Sequence, residues 1–147
     1  MNAIELILDD HRRVKSLFRE FERCQDPVEK QQIAEDAIVE LRVHSQVEEQ
    51  VFYPAVRERG DDRASNLVSE SEEEHHRADA LMEQIKGKSA ADPDYDTLFT
   101  QLVQEIEHHI IEEETQMLPE AQRILSGDLD RIAGRMKQLK SQLAEAA

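Results

Sequence analysis

Apolar residues recur along most of the chain at alternating steps of three and four, the period of a helix with one face turned inward. Runs of this kind cover about residues 3–23, 28–58, 62–86, 94–124 and 128–145. Residues that start and stop helices stand between them. Asp26-Pro27 and Asp92-Pro93 each read as an N-cap followed by a proline in the first turn, where its missing N–H costs nothing. Gly60, Gly87 and Gly127 fall at predicted helix ends, where a left-handed residue is often required. The connections are short and almost nothing alternates with the period of a strand. The predicted fold class is therefore all-α. A single domain over 1–147 comprises an up-down-up-down four-helix bundle across about 3–124 and an additional C-terminal helix over about 128–145.

The inward stripes of four helices are interrupted by ionisable residues. The first helix presents Ile4, Ile7, His11, Val14, Phe18 and Phe21, and the second Ala34, Ala37, Leu41, His44, Glu48, Val51 and Ala55. The third presents Val68, Ser71, His75, Ala78, Met82 and Ile85, and the fourth Tyr95, Phe99, Leu102, Ile106, His109 and Glu113. One interior thus receives His, His plus Glu, His, and His plus Glu. The chain is also an internal repeat. Leu41 to Glu49 matches Ile106 to Glu114 at an offset of 65 residues, each with a proline six beyond the inward glutamate, Pro54 and Pro119. Asp9-Asp10-His11 likewise matches Glu73-Glu74-His75 at an offset of 64.

That spacing suits metal ions. Residues four apart lie on one helix face, about 6 Å along the axis, so His and Glu converge. Two metals in a carboxylate-bridged pair sit about 3.5–4 Å apart. If Glu48 and Glu113 both bridge, each metal receives two glutamate oxygens and an equal share of two imidazoles, which leaves room for a small exogenous ligand. Imidazole with carboxylate suits iron, and also manganese or zinc, and disfavours calcium and magnesium. A lone core histidine is more often a hydrogen-bonded structural residue. Six ionisable groups on four core stripes are another matter, because unpaired each would cost several kcal/mol on burial and no basic residue on the stripes neutralises the glutamates.

The neighbouring polar residues point elsewhere. His76 and His108 lie roughly 100° around their helices from the stripe and read as surface or supporting residues. Glu49, Glu112 and Glu114 belong to solvated charge runs, from which one carboxylate can accept a hydrogen bond from a ligand imidazole. Tyr53 and Tyr95 are within reach of the site but at helical spacing read rather as core or rim, Met82 and Met117 as gap fillers, and Pro54 and Pro119 as residues that kink or end their helices. Glu72-x-x-His75 and Glu105-x-x-His108 fit the string of ferritin-like di-iron bundles but fail its register, and the zinc-peptidase string HExxH is absent.

Composition narrows the partners. With 33 acidic against 18 basic residues the formal net charge is −15, which argues against a nucleic-acid backbone and against an anionic membrane surface. No apolar run approaches a membrane span and the first residues lack the features of a signal peptide, so a soluble, cytoplasmic protein is expected. Cys24 is the one cysteine, so any metal must be held by His and carboxylates. The stripe Leu129, Ile132, Met136, Leu139 and Leu143 of the last helix either caps the bundle or pairs with a partner or second copy, so a monomer or homodimer is expected.

The order His11, His44-x-x-x-Glu48, His75, His109-x-x-x-Glu113 resembles the hemerythrin-like, or HHE cation-binding, domain over about residues 3–124. The resemblance implies two non-haem iron ions held by these six residues, with both glutamates bridging and dioxygen, nitric oxide or peroxide reacting at an open position. Oxygen-carrying hemerythrins have a further histidine where this chain has Asp79, a candidate seventh ligand or water-holding residue. The four-His, two-Glu set is closer to bacterial hemerythrin-like proteins of nitrosative stress. The implied function is binding or sensing of dioxygen or nitric oxide, or handling of reactive species and iron. An oxidoreductase consuming peroxide or nitric oxide, and a metal-free interaction module, are the alternatives.

Overall fold

The structure, a computed structural model, describes residues 1–146. Helix α1 spans Ala3–Arg23 and begins with a capping box: the Asn2 side chain accepts from the Glu5 N–H, and the Glu5 carboxylate accepts from the Asn2 N–H, both at 2.9 Å. Helix α2 spans Pro27–Val47 and is capped by Asp26, as the Asp-Pro pair predicts. After α2 come a five-residue π-helical turn at Glu48–Phe52 and the short α3 at Tyr53–Arg59. Asp61 caps α4, Asp62–Lys86. Helix α5 covers Tyr95–Glu112, a second π turn covers Glu113–Met117, and α6 and α7 cover Leu118–Ile124 and Leu129–Ala146. No strand occurs among the described residues.

The second Asp-Pro pair does not start a helix. Asp92 instead accepts from the Ser89 N–H at 2.7 Å and closes a turn, and Asp94 precedes α5 without a side-chain cap. None of the glycines adopts the left-handed conformation expected at helix ends.

Both π turns have the same cause. Pro54 and Pro119 lack an N–H, and a proline ring inside an α-helix clashes with the carbonyl four residues back. The helix widens by one residue just before each proline, so that Tyr53 N–H bonds to the Glu48 carbonyl and Leu118 N–H to the Glu113 carbonyl. Helix then resumes at once, so these prolines widen their helices where kinks or ends were expected.

The apolar core is divided. One buried cluster gathers Ile7, Phe52, Val56, Val68, Leu118 and Leu125 with the buried face of α7. The other gathers Phe18, Phe21, Leu41, Met82, Tyr95 and Phe99. On every long helix of the bundle the ionisable stripe residues fall between the two. Leu129, Ile132 and Met136 of α7 are buried in the first cluster and Leu139 and Leu143 pack against it, so this stripe is spent on the chain's own bundle. Among the described residues no helix is long and apolar enough to cross a membrane.

Gly60 at the end of α3 is required by space. A Cβ there would lie 2.4 Å from the Ala64 Cβ and 2.7 Å from the Val56 carbonyl oxygen, whereas at Gly134 in α7 nothing lies within 4 Å. Gly60→Ala is expected to destabilise the fold by roughly 1–3 kcal/mol. Gly134→Ala is expected to stabilise it by roughly 0.5–1 kcal/mol. Denaturant midpoints check both, and equal effects of the two substitutions would refute the packing argument.

Candidate metal centre

Each of the six stripe residues reaches the divided core's polar layer. His11, His44, His75 and His109 come from α1, α2, α4 and α5, and Glu48 and Glu113 open the two π turns. All six are buried, the glutamates at 0% and 1% exposure. Every imidazole turns Nε2 inward. His11 Nε2 lies 3.0 Å from Glu113 Oε1 and His44 Nε2 3.1 Å from Glu48 Oε1. His75 Nε2 lies 3.3 Å from the same Glu48 oxygen and 3.2 Å from His109 Nε2, which is 3.5 Å from Glu113 Oε2. The donor atoms fall into two adjacent groups, His11, His44, Glu48 and Glu113 in one and Glu48, His75 and His109 in the other. Glu48 belongs to both. The sequence left open how the histidines divide, and the structure pairs α1 with α2 and α4 with α5.

The outward nitrogens are held as consistently. His44 Nδ1–H donates to Asp10 at 2.8 Å, His109 Nδ1–H to Glu74 at 2.7 Å, His11 Nδ1–H to Glu114 at 2.7 Å and His75 Nδ1–H to Glu49 at 3.3 Å. An ionised carboxylate only accepts, so each imidazole carries its neutral-state proton on Nδ1 and presents a lone pair inward. The acids obey the repeat: Asp10 and Glu74 precede a histidine, and Glu49 and Glu114 follow a bridging-position glutamate. Glu49 and Glu114 were expected mainly as solvated charges, with one able to serve an imidazole; both do. Asp10 and Glu74 were read only as part of the repeat, although an acid directly before each histidine was the available signal.

Other expectations need adjustment. Asp79 does not join the cluster: its side chain is 60% exposed and 3.5 Å from Arg42. His76 and His108 are exposed, as their register predicts. Tyr95 packs with Phe21 in the distant apolar cluster. Tyr53 instead enters the site, its hydroxyl 2.6 Å from Glu113 Oε2 and 3.2 Å from Glu48 Oε1. Stepping by three and four could not find it, because the π turn shifts the register by one residue after Glu48. A cleft of about 360 Å³, lined by Arg42, Glu49, His75, His76, Asp79 and Glu83 among others, opens on the His75 side.

Electrostatics and unmet hydrogen bonds test whether a cation fits. Burial opposes charge on His44, yet Glu48 and Asp10 outweigh it and hold its pKa up at about 10. The same opposition is overcome at His75 by Glu48 and Glu49, and at His109 by Glu113, Glu48 and Glu74. Glu74, against its burial, is pulled down to about 2 by His109. Burial together with the two glutamates pushes the Tyr53 phenol well up. His44 Nε2 and Glu48 Oε2 are nonetheless buried with no hydrogen-bond partner, a deficit of about 1–3 kcal/mol each. An inward set of nitrogen lone pairs and carboxylate oxygens with two unmet members is the donor set a divalent transition metal uses.

Protonated imidazoles must release protons to bind metal. His44, held up at about 10, keeps its proton at neutral pH, so metal affinity is expected to rise with pH and to fall on acidification. In metal-free protein the His44 interaction stabilises the fold fully below about 6.5 and is lost as pH rises through about 10. Proton release on ferrous loading near pH 7.5, followed in a pH-stat, checks the first statement. Glu74→Gln is expected to weaken metal binding by about 10–100-fold, and unchanged affinity would show that the carboxylate does not orient His109.

Comparison with known proteins identifies the fold and the family. The fold matches the crystal structure of a hemerythrin HHE cation binding domain-containing protein from Mycobacterium kansasii with a TM-score of 0.80, at 22% identity, covering 97% of this chain and 89% of that one. A DNA nickase of Nostoc sp. is 29% identical over 147 residues, 99% of this chain, and the chain spans only 41% of that relative's length. The model of the hemerythrin HHE cation binding domain matches residues 2–121. The chain is a member of the hemerythrin HHE cation-binding domain family.

Proposed function

We propose that the chain holds two non-haem iron ions, one in each donor group, and binds a small exogenous ligand, dioxygen, nitric oxide or peroxide, in the cytoplasm. One observation carries this reading: four inward imidazole nitrogens and two buried carboxylates converge in two adjacent groups that share Glu48. An iron pair supplies an open coordination position and electrons for exchange with such a ligand. The protein's own residues supply the rest. Glu48 and Glu113 neutralise the charge, the four outer carboxylates fix the imidazoles, and the two apolar clusters keep bulk water from the layer between them. The cleft beside His75 gives a route to the second group. Manganese and zinc suit the same donors. The nicking activity named for the Nostoc relative belongs to a far longer chain, and a net charge of −15 does not favour carrying it over.

Anaerobic loading with ferrous iron and removal of excess is expected to leave about two irons per chain. His109→Ala and Glu113→Ala are expected to lose this iron, while His108→Ala retains it; equal losses would contradict the register. Titrating the loaded protein with dioxygen and nitric oxide should give a reversible spectral change. Sustained turnover with peroxide or a reductant, absent in His109→Ala, would instead establish the oxidoreductase reading.

A further inference from the structure

We propose that Glu74, His108 and Glu112 form a further cation site, at the protein surface, which takes a divalent transition metal ion, zinc or ferrous iron. It uses none of the six inward residues, so it stands or falls independently of the two-iron reading.

The residues are placed by the same spacing that builds the interior. His108 and Glu112 are four apart on α5, on one face and about 6 Å along the axis, and each stands one residue before an inward residue, so the pair is turned away from the core. Glu74 joins them from α4. Its side chain is 5% exposed and that of His108 62%, so a buried carboxylate meets an imidazole that solvent reaches. Glu74 Oε1 accepts from His109 Nδ1–H at 2.7 Å, while Oε2 lies 3.6 Å from His108 Nε2, which is 3.2 Å from Glu112 Oε1. For bonds of about 2.0–2.1 Å in tetrahedral geometry, neighbouring donors stand about 3.3–3.4 Å apart. The two observed spacings bracket that value, and all three residues offer a donor atom within 4.8 Å of the others. Three protein donors and a water complete a four-coordinate open site.

The internal repeat supplies an independent observation, because the matching place in the other half already holds cations. Asp10, the equivalent of Glu74, receives Lys140 Nζ of α7 at 2.6 Å and pairs with Arg13 as well. Around Glu74 both partners are lacking. Arg77, the equivalent of Arg13, turns to Glu105 at 2.7 Å. Among the described residues no Lys or Arg nitrogen lies within 4.0 Å of a Glu74 or Glu112 carboxylate oxygen. Where Val43 and Val47 pack in the half that α7 covers, the repeat has His108 and Glu112. The half that receives an ammonium group therefore surrounds it with apolar side chains, and the half without one offers an imidazole and a second carboxylate. A divalent ion there neutralises two carboxylates that have no fixed cation between them. It also binds the carboxylate that orients His109, as Lys140 binds the one that orients His44.

The test uses the full chain, loaded with ferrous iron and freed of excess, then dialysed to equilibrium under anaerobic conditions against dilute zinc in a large excess of magnesium, which occupies purely oxygen sites. Iron and zinc per chain are counted by elemental analysis. Wild-type protein is expected to bind one zinc more than His108→Gln and one more than Glu112→Gln, with equal iron in all three. Glu107→Gln, which removes the same charge from an exposed position on α5, is expected to keep that zinc. Glu74 is left unsubstituted because it also holds His109. Equal zinc in wild type and His108→Gln overturns the proposal, and so does a loss in Glu107→Gln as large as in Glu112→Gln, which would mark diffuse attraction to an acidic surface. Should the centre bind no iron, the two-iron reading fails, but zinc taken up by the centre is common to all these proteins and the difference between them still counts the surface site.

Discussion

Charge buried between two apolar clusters is the constraint on which the rest of this structure depends. Two carboxylates and four imidazoles occupy a layer that water scarcely reaches, and isolated ionised groups there would be prohibitively costly. The fold answers by nesting the charges. Imidazoles face inward to Glu48 and Glu113 and outward to Asp10, Glu49, Glu74 and Glu114, so each ring lies between two carboxylates. The outer acids also set which nitrogen carries the proton. Orientation and charge balance are thus achieved by the same contacts, and the partnerless atoms of His44 and Glu48 mark what the nested charges leave unmet.

The second constraint is the proline six residues past each inward glutamate. It places an i→i+5 turn at the site, and π turns of this kind are common at functional positions. The consequence differs between the halves, because the residue that the widened turn brings round is Tyr53 in one and Leu118 in the other. One sequence device, used twice, therefore builds two unlike surroundings from a common backbone.

These features explain what could be read in advance. Helix number, order and the inward positions of all six candidate ligands follow from the three-and-four period, which holds wherever the helix is regular. His108 and His76 were separable from His109 and His75 for the same reason. Reading could not decide between core and site where the period itself changes, at Tyr53, and it failed where local chemistry has two equivalent solutions, as at Asp92, whose side chain closes a turn instead of capping α5. It also failed for Asp79, because Arg42 on the facing helix offers that carboxylate a partner at the surface. The partition of histidines between the donor groups was illegible, since it depends on which helices adjoin and not on spacing along any one of them.

The C-terminal helix breaks the remaining symmetry. It covers α1 and α2, where Val47 is buried and Val43 half-buried, and Lys140 extends from it to Asp10 at 2.6 Å. The repeat equivalents of those valines are His108 and Glu112, which lie at the surface near Glu74. Asp10, with His44 on one side and Lys140 and Arg13 on the other, is held far below the usual carboxylate range against its burial. Glu112, beside the Glu74 carboxylate, is pushed up by it instead. The carboxylate behind His44 is therefore shared with fixed cations, and the one behind His109 with another carboxyl group. A fixed cation draws charge away from the hydrogen bond to His44 and makes its inner nitrogen the weaker donor of the two. By this argument α7 does more than close the core: through Lys140 and Asp10 it distinguishes the His11–His44 group from the His75–His109 group, on the half opposite the one that Tyr53 distinguishes.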